Sequence, residues 1–178
     1  MLPNNFTREK QRGITMIEVL VGLIILSTAV LGAISLQARA LGDVRESYTK
    51  GQASTIALDL AERFRGNPGA AARGIYINGD WTTAASEDDL NTCVNNTASL
   101  CTNPATMAEF DMNEIKYIAT KMLPEGEVWM GFCKTDDQKK TICIRVSWGG
   151  QDAETCVDDG VQNDCVQISL YNPSINNA

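Results

Sequence analysis

The segment Lys10–Leu36, KQRGITMIEVLVGLIILSTAVLGAISL, decides how this 178-residue chain is built. A short basic leader and Gly13 stand directly before an apolar run that carries one carboxylate, Glu18, five residues after the glycine. From Val19 to Leu36 there are 18 consecutive uncharged residues. As a helix rising about 1.5 Å per residue, that run crosses most of a ~30 Å hydrocarbon core. The bases before it are Arg8, Lys10 and Arg12 against the single Glu9, and Arg39 is the first base after it. The positive-inside tendency therefore keeps the first dozen residues in the cytoplasm and exports everything after about Arg39, giving a single pass of the inner membrane with a periplasmic or extracellular C-terminal bulk.

A cleavable secretory signal explains part of this pattern, because Ala38-Arg39-Ala40 has the small-x-small form of a cleavage site. Two features oppose it. The uncharged run is longer than the usual apolar region of a signal, and Glu18 lies at its start, where a charge in a membrane helix costs up to ~2.5–3.5 kcal/mol at the centre and less near the end. A discarded signal has no reason to carry that cost.

Gly13 followed by Ile14-Thr15-Met16-Ile17-Glu18-Val19-Leu20 resembles the class III leader junction of type IV prepilins and type II secretion pseudopilins. The resemblance implies that a prepilin peptidase cuts between Gly13 and Ile14 and methylates the new Ile14 amine, leaving 165 of the 178 residues. The familiar form has Phe where this chain has Ile14 and Leu where it has Met16, and both departures stay apolar. The resemblance also implies that Glu18 meets the N-terminal amine of a neighbouring subunit and sets its register. Two unit charges 4 Å apart attract by ~4 kcal/mol at an effective dielectric of ~20, enough to turn an expensive lone charge into a registration device.

The segment Gln37–Tyr76 is similar to the PilV type of minor pilin, through Leu60-Ala61-Glu62-Arg63-Phe64-Arg65-Gly66-Asn67-Pro68 and the later Gly74-Ile75-Tyr76. Leu123-Pro124-Glu125-Gly126 ahead of a Cys-bearing hairpin ending in Val146-Ser147-Trp148 extends the similarity. It implies an α+β, type IV pilin-like fold: a long N-terminal helix packed on a disulfide-braced domain with an antiparallel sheet and a second short helix. The expected divisions are a leader over 1–13, a transmembrane assembly helix over 14–36, an amphipathic continuation over 37–66, and a globular domain over 67–178.

The residues support the same outline independently. Leu41, Val44, Tyr48, Ile56, Leu60 and Phe64 fall mainly at helical steps, and Gly66-Asn67-Pro68 supplies a stop. A continuous helix from Ile14 to Arg65 spans roughly 78 Å, and no proline interrupts it. Gly69-Ala70-Ala71-Ala72 reads as a linker. Met107, Phe110, Ile115, Ile118 and Met122 predict a second helix over Ala105–Leu123, while Val128–Phe132, Ile142–Trp148 and Val166–Tyr171 read as strands. Trp81, Tyr117, Trp129, Trp148 and Tyr171 are dispersed and read as core residues.

Six cysteines, Cys93, Cys101, Cys133, Cys143, Cys156 and Cys165, all lie beyond the apolar segment. An even count in an oxidising compartment reads as a disulfide set, with 15 possible connectivities. Spacing favours nearest neighbours: Cys133 and Cys143 flank a polar turn between two strands, Cys156 and Cys165 bracket Asp158-Asp159-Gly160, and Cys93 and Cys101 remain.

Chemistry is poorly represented. The chain has no histidine, hence no Ser-His-Asp or Cys-His pairing, and neither Cys-x-x-Cys spacing nor a phosphate loop. The acid pairs Glu87-Asp88-Asp89, Asp136-Asp137 and Asp158-Asp159 lack an EF-hand spacing and read as solvated turns rather than metal sites. Removing Arg8, Lys10, Arg12 and Glu9 from 15 bases and 22 acids leaves 12 and 21, a net charge of −9, which is ill suited to direct nucleic-acid binding. No catalytic residue, cofactor or metal is expected. The expected role is a PilV-like minor pilin in the type IV pilus or its initiating tip complex, serving assembly and dependent processes such as twitching motility, adhesion or DNA uptake. Its expected partners are the prepilin peptidase, other minor and major pilins met through the N-terminal helix, and the inner membrane. The alternatives are a minor pseudopilin of type II secretion, or a membrane-tethered or signal-cleaved periplasmic binding protein or adhesin.

Overall fold

The computed structural model describes residues 13–82, 85–90, 93, 101–133, 141–156 and 164–171. The expected leader, the polar turn between Cys133 and Cys143, and the Asp158-Asp159-Gly160 turn fall wholly or almost wholly outside the described residues. The chain divides into two compact units, Met1–Arg45 and Glu46–Ala178.

Helix α1 runs unbroken over Met16–Gly66, as a proline-free stretch rich in Leu, Ile and Ala allows. In the first unit it is bare: every residue from Gly13 to Arg45 is exposed. In the second unit one of its faces is buried, through Ala53, Ile56, Ala57, Leu60, Ala61 and Phe64. One alanine per turn on that face, Ala53, Ala57 and Ala61, lets the rest of the domain approach the helix closely. Gly66 ends it, and Asn67 caps the next helix.

Residues 68–72, expected as a linker, instead form a short helix α2, Pro68–Ala72, with Ala70 and Ala71 fully buried. Asn67 explains the difference. Its side-chain oxygen accepts from the Ala70 amide at 3.3 Å while its Nδ2 donates to the Pro104 carbonyl at 2.8 Å, so one residue caps α2 and ties it to the next long helix. Pro68 fits the first turn, where its missing N–H is not needed.

A 3₁₀ turn over Glu87–Leu90 precedes α3, Pro104–Met122, whose own N-cap is Asn103. The helix lies where expected, but its buried stripe is Ala108, Asp111, Met112, Ile115, Lys116 and Ala119. Met107, Phe110 and Ile118 are only partly covered, and Met122 is exposed. The stripe is displaced because two charged residues find partners inside the domain and two alanines make the close approach.

Strands β1 (Glu127–Phe132), β2 (Thr141–Ser147) and β3 (Cys165–Tyr171) form an antiparallel sheet in the order β1-β2-β3. On β2, Ile142, Ile144 and Val146 are fully buried in the hydrophobic core, and the alternating Cys143, Arg145 and Ser147 are also buried. That second, polar face is closed by the segment after Ser147: Arg145 Nη1 donates to the Glu154 carbonyl at 2.6 Å and Ser147 Oγ to that of Gln151. At one register level the sheet carries Trp129, Arg145 and Gln167 side by side. Arg145 Nε donates to Gln167 Oε1 at 2.7 Å and its guanidinium lies 4.8 Å from the centroid of the Trp129 ring. Gly131 is required here, since a Cβ at that position would strike the Trp129 ring. Trp81 and Trp148 are buried and Trp129 partly so, but Tyr171, expected in the core, is exposed at the end of the edge strand β3.

Candidate assembly helix and its anchoring cluster

Gly13, Ile14 and Thr15 precede the helix and are exposed; Ile14 keeps 74% of its surface and Met16 keeps 85%. The Thr15 carbonyl accepts from the amides of Glu18 (3.0 Å) and Val19 (3.4 Å), which places Glu18 in the first turn of α1. A carboxylate there complements the positive end of the helix dipole. Among the described residues the Glu18 side chain makes no hydrogen bond or ion pair, so it is accessible to another chain.

Following it, Val19 to Leu36 expose large aliphatic side chains on all sides of the helix. Its polar side chains are internally satisfied. Ser27, Thr28 and Ser35 donate to the carbonyls of Ile24, Ile25 and Gly32 at 2.9, 2.9 and 2.8 Å. Gly22 and Gly32 have open space where a Cβ would lie, leaving shallow places at which another helix can come close. Met16–Gly66 is the one helix among the described residues long and apolar enough to cross a membrane.

At the other end, α1 is held by a cluster of charges that sequence reasoning missed. Arg63 Nη1 donates to Asp111 Oδ1 at 3.0 Å and to Glu114, and its Nε donates to Asp59 Oδ1 at 3.2 Å. The other Asp111 oxygen accepts from the Tyr76 hydroxyl at 2.6 Å, and the Phe64 and Tyr76 rings meet edge to face at 5.6 Å. Three carboxylates around one partly buried guanidinium hold Arg63 firmly protonated, against the opposing effect of burial. Burial, then the bond to Asp111, pushes the Tyr76 phenol well above its ordinary pKa. Arg63 and Tyr76 were visible as parts of the Leu60-Ala61-Glu62-Arg63 and Gly74-Ile75-Tyr76 elements. Their common partner lies 48 and 35 residues further along, and nothing local marks Asp111 as the acid that joins them.

All six cysteines are paired as nearest neighbours: Cys93–Cys101, Cys133–Cys143 and Cys156–Cys165, with Cα separations of 5.8, 5.0 and 6.2 Å. The second pair closes the β1–β2 hairpin and the third fastens the start of β3. Among the described residues no group of His, Cys, Asp and Glu is arranged to hold a metal.

Residues 8–34 match the prokaryotic N-terminal methylation motif, and residues 35–113 match the family described as type IV pilin Tt1218. Together the matches run without a gap over more than half of the chain. These two matches support a type IV pilin. The second match begins at Ser35 and ends at Asn113, so it takes in Asp59, Arg63, Tyr76 and Asp111 and stops short of the sheet and two of the three disulfides. No curated protein and no solved structure matches the chain. The matches support a pilin role in a pilus or pseudopilus, and the bare apolar helix is consistent with anchoring in the inner membrane.

Proposed function

We propose that this pilin is a minor pilin of the PilV type, held in the inner membrane with its N-terminus in the cytoplasm and its C-terminal domain in the periplasm, and incorporated into the type IV pilus or its initiating tip complex. The observation that carries the reading is the bare apolar half of α1 with one accessible carboxylate, Glu18, set directly behind Gly13-Ile14. A prepilin peptidase frees and methylates the Ile14 amine, and the new cation sits about one helical turn from Glu18. Such a pair, desolvated between subunits, rewards one register of neighbouring helices and penalises the others. Lipid stores the subunit, helix packing recruits it, and the surface of the C-terminal domain selects its neighbours.

Intact mass and terminal-peptide sequencing of the protein from cells with and without the prepilin peptidase test this reading. A methylated Ile14 that depends on the peptidase is expected, as is loss of the Glu18→Ala protein from sheared filaments while its membrane pool persists. An N-terminus at Leu41 removes the anchor and overturns the reading. Recovery of the protein only in complexes with secretion pseudopilins replaces the pilus by a pseudopilus.

A further inference from the structure

A cavity of about 580 Å³ opens beside α3, within the size range of small-molecule sites. Its lining mixes both signs of charge: Arg73 and Lys116 against Asp80, Asp89 and Glu109. Lys116 is the unusual member. It is 8% exposed, and the acceptor it meets among the described residues is the Asp80 carbonyl, 2.9 Å from Nζ. An ammonium has three protons to donate, and a buried one is costly until it is matched by anions and acceptors. Burial accordingly pushes the Lys116 pKa down, with Asp80 and Asp89 only partly opposing it.

The other groups are held in place before any ligand arrives. Asp89 Oδ2 accepts from both the amide and the hydroxyl of Ser86 at 2.8 Å, and Arg73 Nε donates to the Gly69 carbonyl at 2.9 Å. Glu109 is exposed at the rim. A simple anion entering this cavity is repelled by three carboxylates, and a simple cation meets Lys116 and Arg73. A molecule with a carboxylate at one end and an ammonium at the other satisfies both.

We propose that the cavity beside α3 binds a small zwitterion of amino-acid or dipeptide size, its carboxylate on Lys116 and its ammonium toward Glu109 and Asp89. The inference is independent of the filament reading. Calorimetric titration of the full chain in detergent micelles with glycylglycine, and with acetate and methylamine as one-ended probes, tests it. Glycylglycine should bind about tenfold or more tightly than either one-ended probe, because a charged hydrogen bond is lost with each missing end. Lys116→Met should weaken glycylglycine by about tenfold or more. Should that variant fail to fold, Glu109→Gln at the exposed rim serves instead, weakening glycylglycine several-fold without weakening acetate. Absence of glycylglycine binding to the folded wild type, equal binding of acetate, or indifference to Glu109→Gln overturns the proposal.

Discussion

Residues 16–45 and 46–66 belong to one helix, yet they answer to two different solvents. In the first stretch Leu23, Ile24, Ile25 and Leu26 each keep between 56% and 62% of their surface, whereas in the second Ile56, Leu60 and Phe64 keep 3% or less. The helical backbone is common to both, so the difference lies in what covers the side chains. The domain-side stretch concentrates its apolar residues on one face and alternates them with alanine. Within the N-terminal stretch, Val19 to Leu36 is apolar all round, which suits lipid or a bundle of like helices and nothing that a single soluble domain can supply.

The sharpest way to break the comparison is to truncate one large side chain on each stretch. Phe64→Ala removes a ring from the buried face and from its edge-on contact with Tyr76, and should cost about 3–5 kcal/mol of domain stability. Ile24→Ala removes a side chain that is 62% exposed and should leave the same unfolding midpoint unchanged. Urea unfolding of the full chain in micelles, followed by tryptophan fluorescence, reads both. Equal losses would mean that the two stretches share one cooperative unit.

Next in size is the charge cluster that ties the domain-side stretch to α3. Arg63→Met leaves the Asp111 carboxylate, whose side chain is 10% exposed, without its cation, at a cost of about 2–4 kcal/mol. Adding Asp111→Asn should recover part of that loss, since the second change removes the charge that the first stranded. Strict additivity of the two changes in a double-mutant cycle would show that the residues act separately.

The same contrast explains what could be read in advance. The bare stretch is legible because its signal is contiguous: a leader, a glycine, one carboxylate and an uncharged run need no knowledge of the rest of the fold. The strands and the end of α1 were also local matters, set by alternation and by Gly66-Asn67-Pro68. The nearest-neighbour disulfides followed from short spacings across turns. The anchoring cluster was not legible, because Arg63, Tyr76 and Asp111 come from three separate segments and only the fold converges them. The buried face of α3 was not legible for the same reason. Met107, Phe110 and Met122 mark the helix by their spacing, whereas Asp111 and Lys116 are buried by specific partners and Ala108 and Ala119 by close approach. Residues 69–72 look like a linker for want of side chains, yet alanines are what the packing needs there.

A third test lies outside the segment matched to the pilin family. Replacing Cys133 and Cys143 together by alanine opens a bridge between residues 10 apart and should cost about 2–3 kcal/mol in the chain-entropy picture. The loss should appear in the sheet, as faster amide exchange at Phe132 and Ile142 next to the bridge. Exchange in residues 16–45 should be untouched. A change there would contradict the division of the chain into two units.

The smallest effect, and the one that most finely separates the cluster from its surroundings, is the alkaline response of Tyr76. Burial, and then the hydrogen bond to Asp111, raise the phenol's pKa in the folded chain above its unfolded value near 10. A raised folded pKa means that the contribution is fully present below about pH 10 and is lost as pH climbs through the folded value, since the unfolded chain gives up the proton first. Tyr76→Phe should therefore lower stability by about 1–1.5 kcal/mol at neutral pH, through the lost bond to a carboxylate. It should also flatten the alkaline limb of the stability curve while leaving the acid limb in place. Asp89 works in the opposite sense. Its carboxyl is held below the ordinary carboxylate range by the Ser86 amide and hydroxyl, so its contribution is present above about pH 4 and fades on acidification. Stability curves of wild type, Tyr76→Phe and Asp89→Asn measured side by side should thus diverge at opposite ends of the pH scale. An alkaline limb that Tyr76→Phe leaves unaltered would mean that the phenol ionises equally well in the folded chain, and that the bond to Asp111 does not hold α3 to the 73–82 segment.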